Sequence, residues 1–128
     1  MIKLEQIIKP IEEEFALFGK EYEKKFQTEN IILQQIHKHI LNKKGKQIRP
    51  IITLLSAKAV GEINEKTIET AIAMEMLHTA SLIHDDVVDE TFERRGQKSV
   101  NAIWNNKLAI LTGDYILSQA LYTAKETN

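Results

Sequence analysis

The sequence has 128 residues, of which 43% are hydrophobic and 27% are charged, and this is sufficient for one domain with an apolar core. Its 17 basic and 18 acidic side chains leave a net charge of −1, so no overall charge attracts nucleic acid or an anionic membrane surface. The lack of cysteine excludes disulfides and thiolate metal sites, and it favours a cytoplasmic location. Charges interrupt residues 1–15, so we expect neither a signal peptide nor a transmembrane segment.

Apolar residues recur every three or four positions, which predicts an all-α fold with a single helical domain over residues 1–128. Strand-like alternation is absent from the sequence. We predict about five to six helices and place their ends at capping residues, glycines and prolines. In chain order they are a helix containing Ile7–Tyr22, one from about Asn30 to the KKGK segment, one from near Pro50 to Gly61, one from Asn64 to Glu90, a short one in SVNAIW and one from Asn106 to the C-terminus.

The last predicted helix carries apolar residues on nearly every side between Leu108 and Tyr122. Neighbouring elements normally enclose a helix of that kind, and five or six helices are too few to enclose it fully. We therefore expect this chain to be part of a larger helical protein, or to bury the surface in a homodimer or other oligomer. The sequence ends at KETN without a capping glycine, so a truncation and a natural end are both open.

The segment HDDVVDETFERRG, residues 84–96, combines clustered carboxylates with two arginines. Asp85 and Asp89 lie one helical turn apart on one face, while Asp86 lies about 100° around the helix. Like charges at this spacing repel unless a cation lies between them, and carboxylates suit Mg²⁺, which completes its shell with water and substrate phosphate. Arg94 and Arg95 offer forked donors to further phosphate oxygens. This pattern predicts a diphosphate bridged through Mg²⁺ to Asp85 and Asp89.

A second cationic group lies in GKQIRP, residues 45–50. Gly45 permits a close approach, and Lys46 and Arg49 stand at the start of a helix whose N-terminal amides also favour anions. His78 lies two turns before Asp85 on roughly the same helical face, where it is able to donate to the same anion. These residues predict a separate diphosphate site.

GKQIRP, HTASLIHDDVVDETFERRG and LTGDY, in this order and at these intervals, resemble the N-terminal part of the trans-prenyltransferases, the polyprenyl diphosphate synthase family of all-helical isoprenoid synthases. The resemblance spans about residues 43–117. It implies an isoprenoid-synthase-type helical bundle and an enzyme that elongates an allylic diphosphate with isopentenyl diphosphate. In that reaction the allylic diphosphate ionises to a carbocation, the isopentenyl double bond attacks it, and a proton is lost.

The resemblance also implies a role for each matching residue. Asp85 and Asp89 would be the outer aspartates of the first aspartate-rich motif and would hold Mg²⁺, with Asp86 in support and Arg94 on the allylic diphosphate. Metal and arginine would stabilise the charge that grows on the departing diphosphate, so no nucleophilic side chain is required. The diphosphate of isopentenyl diphosphate would be bound by Lys46, Arg49, His78 and Arg95.

Two further expectations follow from the resemblance. Members of the family are longer and carry a second aspartate-rich motif, which nothing after Asp114 resembles, so the isolated chain is expected to be inactive. In the family the growing chain extends along the helix before the first motif, and bulky residues four or five positions before its first aspartate stop growth early. Those positions are Ser81 and Ala80, and their small size implies a product longer than farnesyl, such as a quinone side-chain precursor.

Two other function classes remain open. A metal-dependent phosphohydrolase of the HD type is suggested by His84–Asp85, with His78 as a possible third group, but its histidines would coordinate metal directly and GKQIRP would have no task. A non-catalytic subunit of a two-component prenyl synthase would not need the metal ligands and arginines that this chain contains.

Several residues have simpler structural interpretations. We expect His37 and His39 on the surface, and His84 to satisfy a buried backbone group. We expect Gly113 in LTGDY to permit close contact between helices, with Asp114 as a partner for a cation or an arginine.

Overall fold

The computed structural model describes residues 1–127, and their fold is all-α, as predicted. A short 3₁₀ turn, Lys9–Ile11, separates the first two helices and divides the first predicted helix, because Pro10 lacks an N–H for the α-helical ladder. The helices are α1 (Leu4–Ile8), α2 (Glu12–Lys24), α3 (Ile31–Asn42), α4 (Ile48–Val60), α5 (Glu65–Val88), α6 (Val100–Ile103) and α7 (Asn106–Glu126).

Two of the long helices have the expected residues as their N-terminal caps. The side chain of Asn30 accepts a hydrogen bond from the backbone N–H of Leu33 at 2.9 Å, and Asn64 accepts one from Thr67 at 3.1 Å. The last helix begins at Asn106, as predicted, and the side chain of the preceding residue, Asn105, caps it by accepting from the backbone N–H of Leu108 at 2.8 Å. Side-chain acceptors satisfy N–H groups that have no partner within the helix, so these boundaries were readable from the sequence.

A two-stranded antiparallel hairpin follows α5, although the sequence shows no strand-like alternation. Strand β1 (Glu93–Arg94) pairs with β2 (Gln97–Lys98), and the residues between them, Arg95 and Gly96, have φ angles of 54° and 76°. Positive φ at both central positions is the geometry of a type I′ turn. With two residues in each strand, the hairpin is too short to produce a periodic pattern, so the sequence predicted only a break at this point.

Helix α5 is the centre of the fold. It packs along α7 and also contacts α4, α2 and α6. Its buried side chains, which include Ile72, Met76 and Ile83, lie on several sides of the helix, so neighbouring helices pack against α5 on more than one side. The active-site segment predicted from the sequence, residues 84–96, begins in the last turns of this central helix, which support it rigidly, and continues into the hairpin.

His37 is buried rather than exposed, which corrects the expectation of a surface position. It is 2% exposed, and its ring lies 5.1 Å from that of Phe26 and 5.5 Å from that of Tyr115. Its Nδ1–H donates to the carbonyl oxygen of Phe26 at 2.7 Å, while its Nε2 is buried without a hydrogen-bond partner among residues 1–127. Protonation would place a charged N–H in apolar surroundings, so burial lowers the pKa of His37.

This buried histidine predicts a loss of stability in mild acid. The pKa of His37 is lower in the folded chain than its ordinary value of 6.5, so the unfolded chain binds the proton more readily. The free energy of unfolding is therefore expected to be highest above that value and to fall below it, by at most about 1.4 kcal/mol per pH unit for one group. Urea denaturation from pH 8 to pH 5 measures the effect. His37→Gln should flatten the curve, and an unchanged slope in that variant would contradict the assignment.

Apolar side chains remain exposed on α7 despite its central contacts. Leu111, Leu121 and Tyr122 are all more than half exposed. The expectation that a larger assembly covers this helix remains a prediction. Among the helices of residues 1–127, none is both long enough and apolar enough to cross a bilayer.

Candidate active site

The C-terminal end of α5 and the hairpin that follows it are joined by one ion pair. The carboxylate of Asp86 is buried, and it accepts from Arg94 Nε at 3.0 and 2.9 Å and from Arg94 Nη2 at 2.7 Å. Hydrogen bonds to backbone carbonyls also stabilise the chain between α5 and the hairpin. The N–H of Thr91 donates to the carbonyl of Asp86 at 2.9 Å, and the side-chain amide of Asn101 donates to the carbonyl of Thr91 at 3.1 Å. Asp86 therefore fixes the position of Arg94, a role that the sequence pattern did not specify.

Asp85 and Asp89 have a different environment from Asp86. Both are exposed, and neither forms an ion pair within residues 1–127. The backbone N–H of Asp89 donates to the carbonyl of Asp85 at 2.8 Å, which places the two residues one turn apart at the end of α5. The hydrogen bonds that Arg94 donates to Asp86, followed by the charges of all three aspartates, raise the pKa of Arg94. Arg94 thus lies next to the acidic group and remains fully charged.

Gly45 permits a close approach, and the group that approaches it is Arg95. A Cβ atom at Gly45, where φ is 74°, would lie 2.9 Å from Arg95 Cζ, so a larger residue would displace the guanidinium. Arg95 Nη1 also donates to the carbonyl of Lys43 at 3.2 Å. The hairpin and the α3–α4 loop are therefore joined through Arg95, although more than forty residues separate them in sequence.

The turn that carries Arg95 is strained. Left-handed backbone costs a residue with a side chain about 1 kcal/mol or more, and type I′ turns favour Asn-Gly at this position. An arginine here is unfavourable for the turn itself. The retention of strained geometry next to a candidate site is typical of a residue whose side chain has a function.

His78 lies near arginines from two other elements. Burial, followed by the charges of Arg49, Arg95 and Arg94, lowers the pKa of His78. These arginines come from the start of α4 and from the hairpin, so the fold brings together groups that lie far apart in sequence. Lys46 and Arg49 are both exposed at the entrance to α4, which leaves their side chains accessible to an anion.

Glu75, one turn before His78 on α5, was not identified from the sequence as a site residue. It is 3% exposed, and burial raises the pKa of its carboxyl while Arg95 and then Arg49 oppose that rise. The available signal was an acidic residue inside the otherwise apolar stretch AIAMEML, three positions before His78. Periodicity alone does not separate a buried acid from a solvated one.

The side chain of His84, a residue of α5, packs against α7. Its Nε2–H donates to the carbonyl of Ile110 at 3.2 Å, which matches the expected backbone contact, and the same atom lies 3.2 Å from Asp114 Oδ1. A Cβ atom on Gly113 would overlap the imidazole ring, so the glycine permits this close contact, as expected.

Comparisons with known proteins point to one family. The family model described as polyprenyl synthetase matches residues 30–128. The chain belongs to the polyprenyl synthetase family. It is 40% identical over 117 residues to the all-trans-nonaprenyl-diphosphate synthase (geranyl-diphosphate specific) of Rhodobacter capsulatus, covering 91% of this chain and 36% of that protein. It is 36% identical over 120 residues to heptaprenyl diphosphate synthase component 2 of Geobacillus stearothermophilus, covering 94% of this chain and 38% of that protein.

A solved polyprenyl synthase has the same fold. The structure of the Caulobacter crescentus CB15 enzyme, complexed with calcium and isoprenyl diphosphate, superposes with a TM-score of 0.90 and 29% identity over 97% of this chain and 38% of that one. The chain therefore spans well under half the length of the relatives it matches. This polyprenyl synthetase chain therefore has the helical architecture of the corresponding part of that solved synthase.

The carboxylates of this polyprenyl synthetase fit part of a magnesium shell. Asp85 and Asp89 lie at a helix end, where their carboxylates would be able to act as oxygen ligands, and one or two carboxylates are the usual protein contribution to a Mg²⁺ that also binds phosphate. Within residues 1–127, no three acidic or histidine side chains converge as a complete metal site. Water and substrate oxygens would have to complete the shell.

The two residues predicted to set product length have different environments. Ala80 is 1% exposed and lies inside the hydrophobic core, whereas Ser81 is exposed and its hydroxyl donates to the carbonyl of His78 at 2.8 Å. A larger side chain at Ala80 would overpack the hydrophobic core and lower the stability of the fold. Of the two, Ser81 is the position where a larger side chain would extend into open space.

Proposed function

We propose that this chain forms one wall of a prenyl-transfer site that elongates an allylic diphosphate with isopentenyl diphosphate. One observation carries the proposal: acidic and cationic groups occur together along one end of α5. Free carboxylates lie at its C-terminus, and two turns earlier His78 lies among arginines from α4 and the hairpin. Such an arrangement suits two diphosphates, one bound through a metal and one bound directly.

Different residues of this chain would bind the two substrates. Lys46, Arg49, His78 and Arg95 would hold the diphosphate of isopentenyl diphosphate, and Arg94, held by Asp86, would direct its remaining donors toward the allylic diphosphate. Mg²⁺ at Asp85 and Asp89 would supply positive charge against the leaving group. The allylic C–O bond breaks and diphosphate leaves with the electron pair. The isopentenyl double bond then forms the new C–C bond, and a proton is lost.

The complete site would need groups from outside this wall. Relatives that match the chain are more than twice its length, and two aspartates provide only part of a metal shell. We therefore expect the 128-residue chain to bind diphosphates without turning them over. Incubation with both substrates and Mg²⁺ should yield no product, and product formation would contradict the incomplete-wall interpretation.

Calorimetry with isopentenyl diphosphate tests the directly bound site. Lys46→Ala and Arg49→Ala should each weaken binding about ten- to a hundredfold, because each removes a charge-assisted contact worth about 1.5–3 kcal/mol. Lys66→Ala is the matched control, since Lys66 is exposed on the same helix as His78 but about 18 Å along its axis. Equal binding by all three variants would exclude the assigned site.

Arg95→Asn distinguishes an effect on diphosphate binding, measured by the same calorimetry, from an effect on stability, measured by urea denaturation. Asparagine suits the left-handed turn before Gly96, and this gain of about 0.5–1 kcal/mol opposes the loss of the Arg95 hydrogen bond to Lys43, so the free energy of unfolding should change little while binding weakens. A loss of both together would mean that Arg95 is principally structural.

Product length is proposed from the small residues upstream of the motif. Ser81 leaves space along α5, which supports a product longer than farnesyl, and the two sequence relatives described above are named for nonaprenyl and heptaprenyl products. In the full-length enzyme, Ser81→Phe should shorten the products, as measured by chromatography of the dephosphorylated alcohols. Unchanged products would remove Ser81 from the growth path.

We also propose that the exposed apolar residues of α7 are covered in a larger assembly, either by further parts of a synthase or by a second copy. Exposed groups such as Leu121 and Tyr122 support this. The cytoplasmic location expected from the cysteine-free sequence remains a prediction.

A further inference from the structure

The hairpin that carries Arg94 and Arg95 is also held by His39, a half-buried residue of α3 with no role in the proposed reaction. The ring Nε2 of His39 lies 2.7 Å from the carbonyl oxygen of Lys98 in β2. Because a carbonyl oxygen only accepts, Nε2 carries the hydrogen and donates it. The backbone carbonyl of His39 in turn accepts from the side chain of Gln97 at 3.1 Å. One residue of α3 therefore forms two hydrogen bonds with β2.

The ring of His39 is itself fixed by packing. It meets the ring of Trp104 edge to face, with 5.5 Å between the ring centroids and 73° between the planes. Trp104 follows α6 directly and packs against the hydrophobic core. A side chain held in this way loses little further conformational entropy when its N–H donates. The hydrogen bond to Lys98 is therefore able to restrain β2.

The two arginines of the hairpin have separate partners. Arg94 is bound by Asp86 of α5, whereas Arg95 lies in the turn, next to the end of α3 and the loop that follows it. There its guanidinium occupies the space beside Gly45 and donates to the carbonyl of Lys43 at 3.2 Å. One hydrogen bond of this length restrains a long side chain only weakly. The placement of Arg95 therefore depends on where β2 is held.

We propose that His39 is a positioning residue for the directly bound diphosphate: by holding β2 against α3, it places the guanidinium of Arg95 beside the loop that carries Lys46. The inference rests on the proposed function of that site. Cations from two distant segments bind one anion best when both segments are already in place, because less side-chain freedom is then lost on binding. His39 touches neither substrate in this role and acts only through Arg95.

The experiment compares wild type, His39→Leu, His39→Gln and Gln35→Leu. Leucine keeps an apolar contact for Trp104 but has no donor, whereas the amide nitrogen of glutamine is able to replace Nε2–H. Gln35 is the matched control, because it is exposed on α3 one turn before His39. Calorimetry with inorganic diphosphate gives affinity, and ¹⁵N relaxation of the arginine Nε–H groups gives their order without ligand. Urea denaturation confirms that each variant is folded.

We expect His39→Leu to weaken diphosphate binding about three- to tenfold, the effect of having to order one long side chain on binding, and to make Arg95 mobile in the free chain. Arg94 should stay ordered, because Asp86 binds it independently. His39→Gln should restore both affinity and the order of Arg95, and Gln35→Leu should change neither.

A purely structural role for His39 predicts a lower free energy of unfolding with no change in affinity or in the order of Arg95, and that result would overturn the proposal. The proposal would also fail if glutamine did not restore what leucine loses. If wild type binds no inorganic diphosphate, the proposed function fails for this chain, and the order of Arg95 in the free variants alone decides the role of His39.

Discussion

Replacement of Asp86 by asparagine is expected to lower both the stability of the chain and its capacity to bind an allylic diphosphate. The carboxylate accepts all three hydrogen bonds from Arg94, and an amide keeps the shape but loses the charge and an acceptor. We expect a loss of about 2 kcal/mol in the free energy of unfolding. This is less than for a fully buried pair, because the side chain of Arg94 is 37% exposed.

Asp85→Asn provides the matched comparison on the neighbouring residue. Asp85 is exposed and makes no ion pair within residues 1–127, so its replacement should leave stability unchanged or slightly raised by relief of repulsion from Asp89. Both variants should lose Mg²⁺-dependent binding of the allylic diphosphate, but only Asp86→Asn should lose stability. Urea denaturation and calorimetry measure the two effects. Equal stability of the two variants would contradict the positioning role of Asp86.

Gly113→Ala is expected to destabilise the chain by about 1–3 kcal/mol. The added methyl group overlaps the ring of His84, which must leave its contacts with Ile110 and Asp114, and this outweighs the gain of about 1 kcal/mol from alanine in a helix.

A double-mutant cycle isolates this contact. In a His84→Ala background the ring is absent, so Gly113→Ala should become stabilising by about 0.5–1 kcal/mol through helix propensity alone. The reversal of sign is the specific expectation, measured by chemical denaturation of the four proteins. A loss of stability of the same size in both backgrounds would show that the methyl group meets something other than His84.

The sequence was sufficient for those features of the site that depend on local geometry. The separation of Asp85 and Asp89 by one turn follows from helix periodicity, and the capping roles of Asn30 and Asn64 follow from the unpaired N–H groups at a helix start. The short-range motifs were also specific enough to predict the family that the comparisons then showed.

Features that depend on long-range packing were less accessible. His37 was expected on the surface, yet its ring lies between Phe26 and Tyr115, which belong to segments far apart in sequence. Glu75 and Glu69 are both acids on α5, but Glu75 is almost completely buried, whereas Glu69 pairs with Lys25 at 3.5 Å. A helical pattern specifies which residues share a face, whereas the elements that pack on that face decide which of them lose water.

The sequence by itself therefore determined the all-α fold, the helix boundaries to within a few residues and the presence of an acidic and a cationic motif, because these depend on spacing within single segments. Only the tertiary structure decided that Asp86 holds Arg94, that Arg95 lies against Gly45, and that Glu75 is buried. Burial and charge pairing are set by contacts between distant segments, and the free energy of a polar side chain depends on those neighbours more than on its own helix.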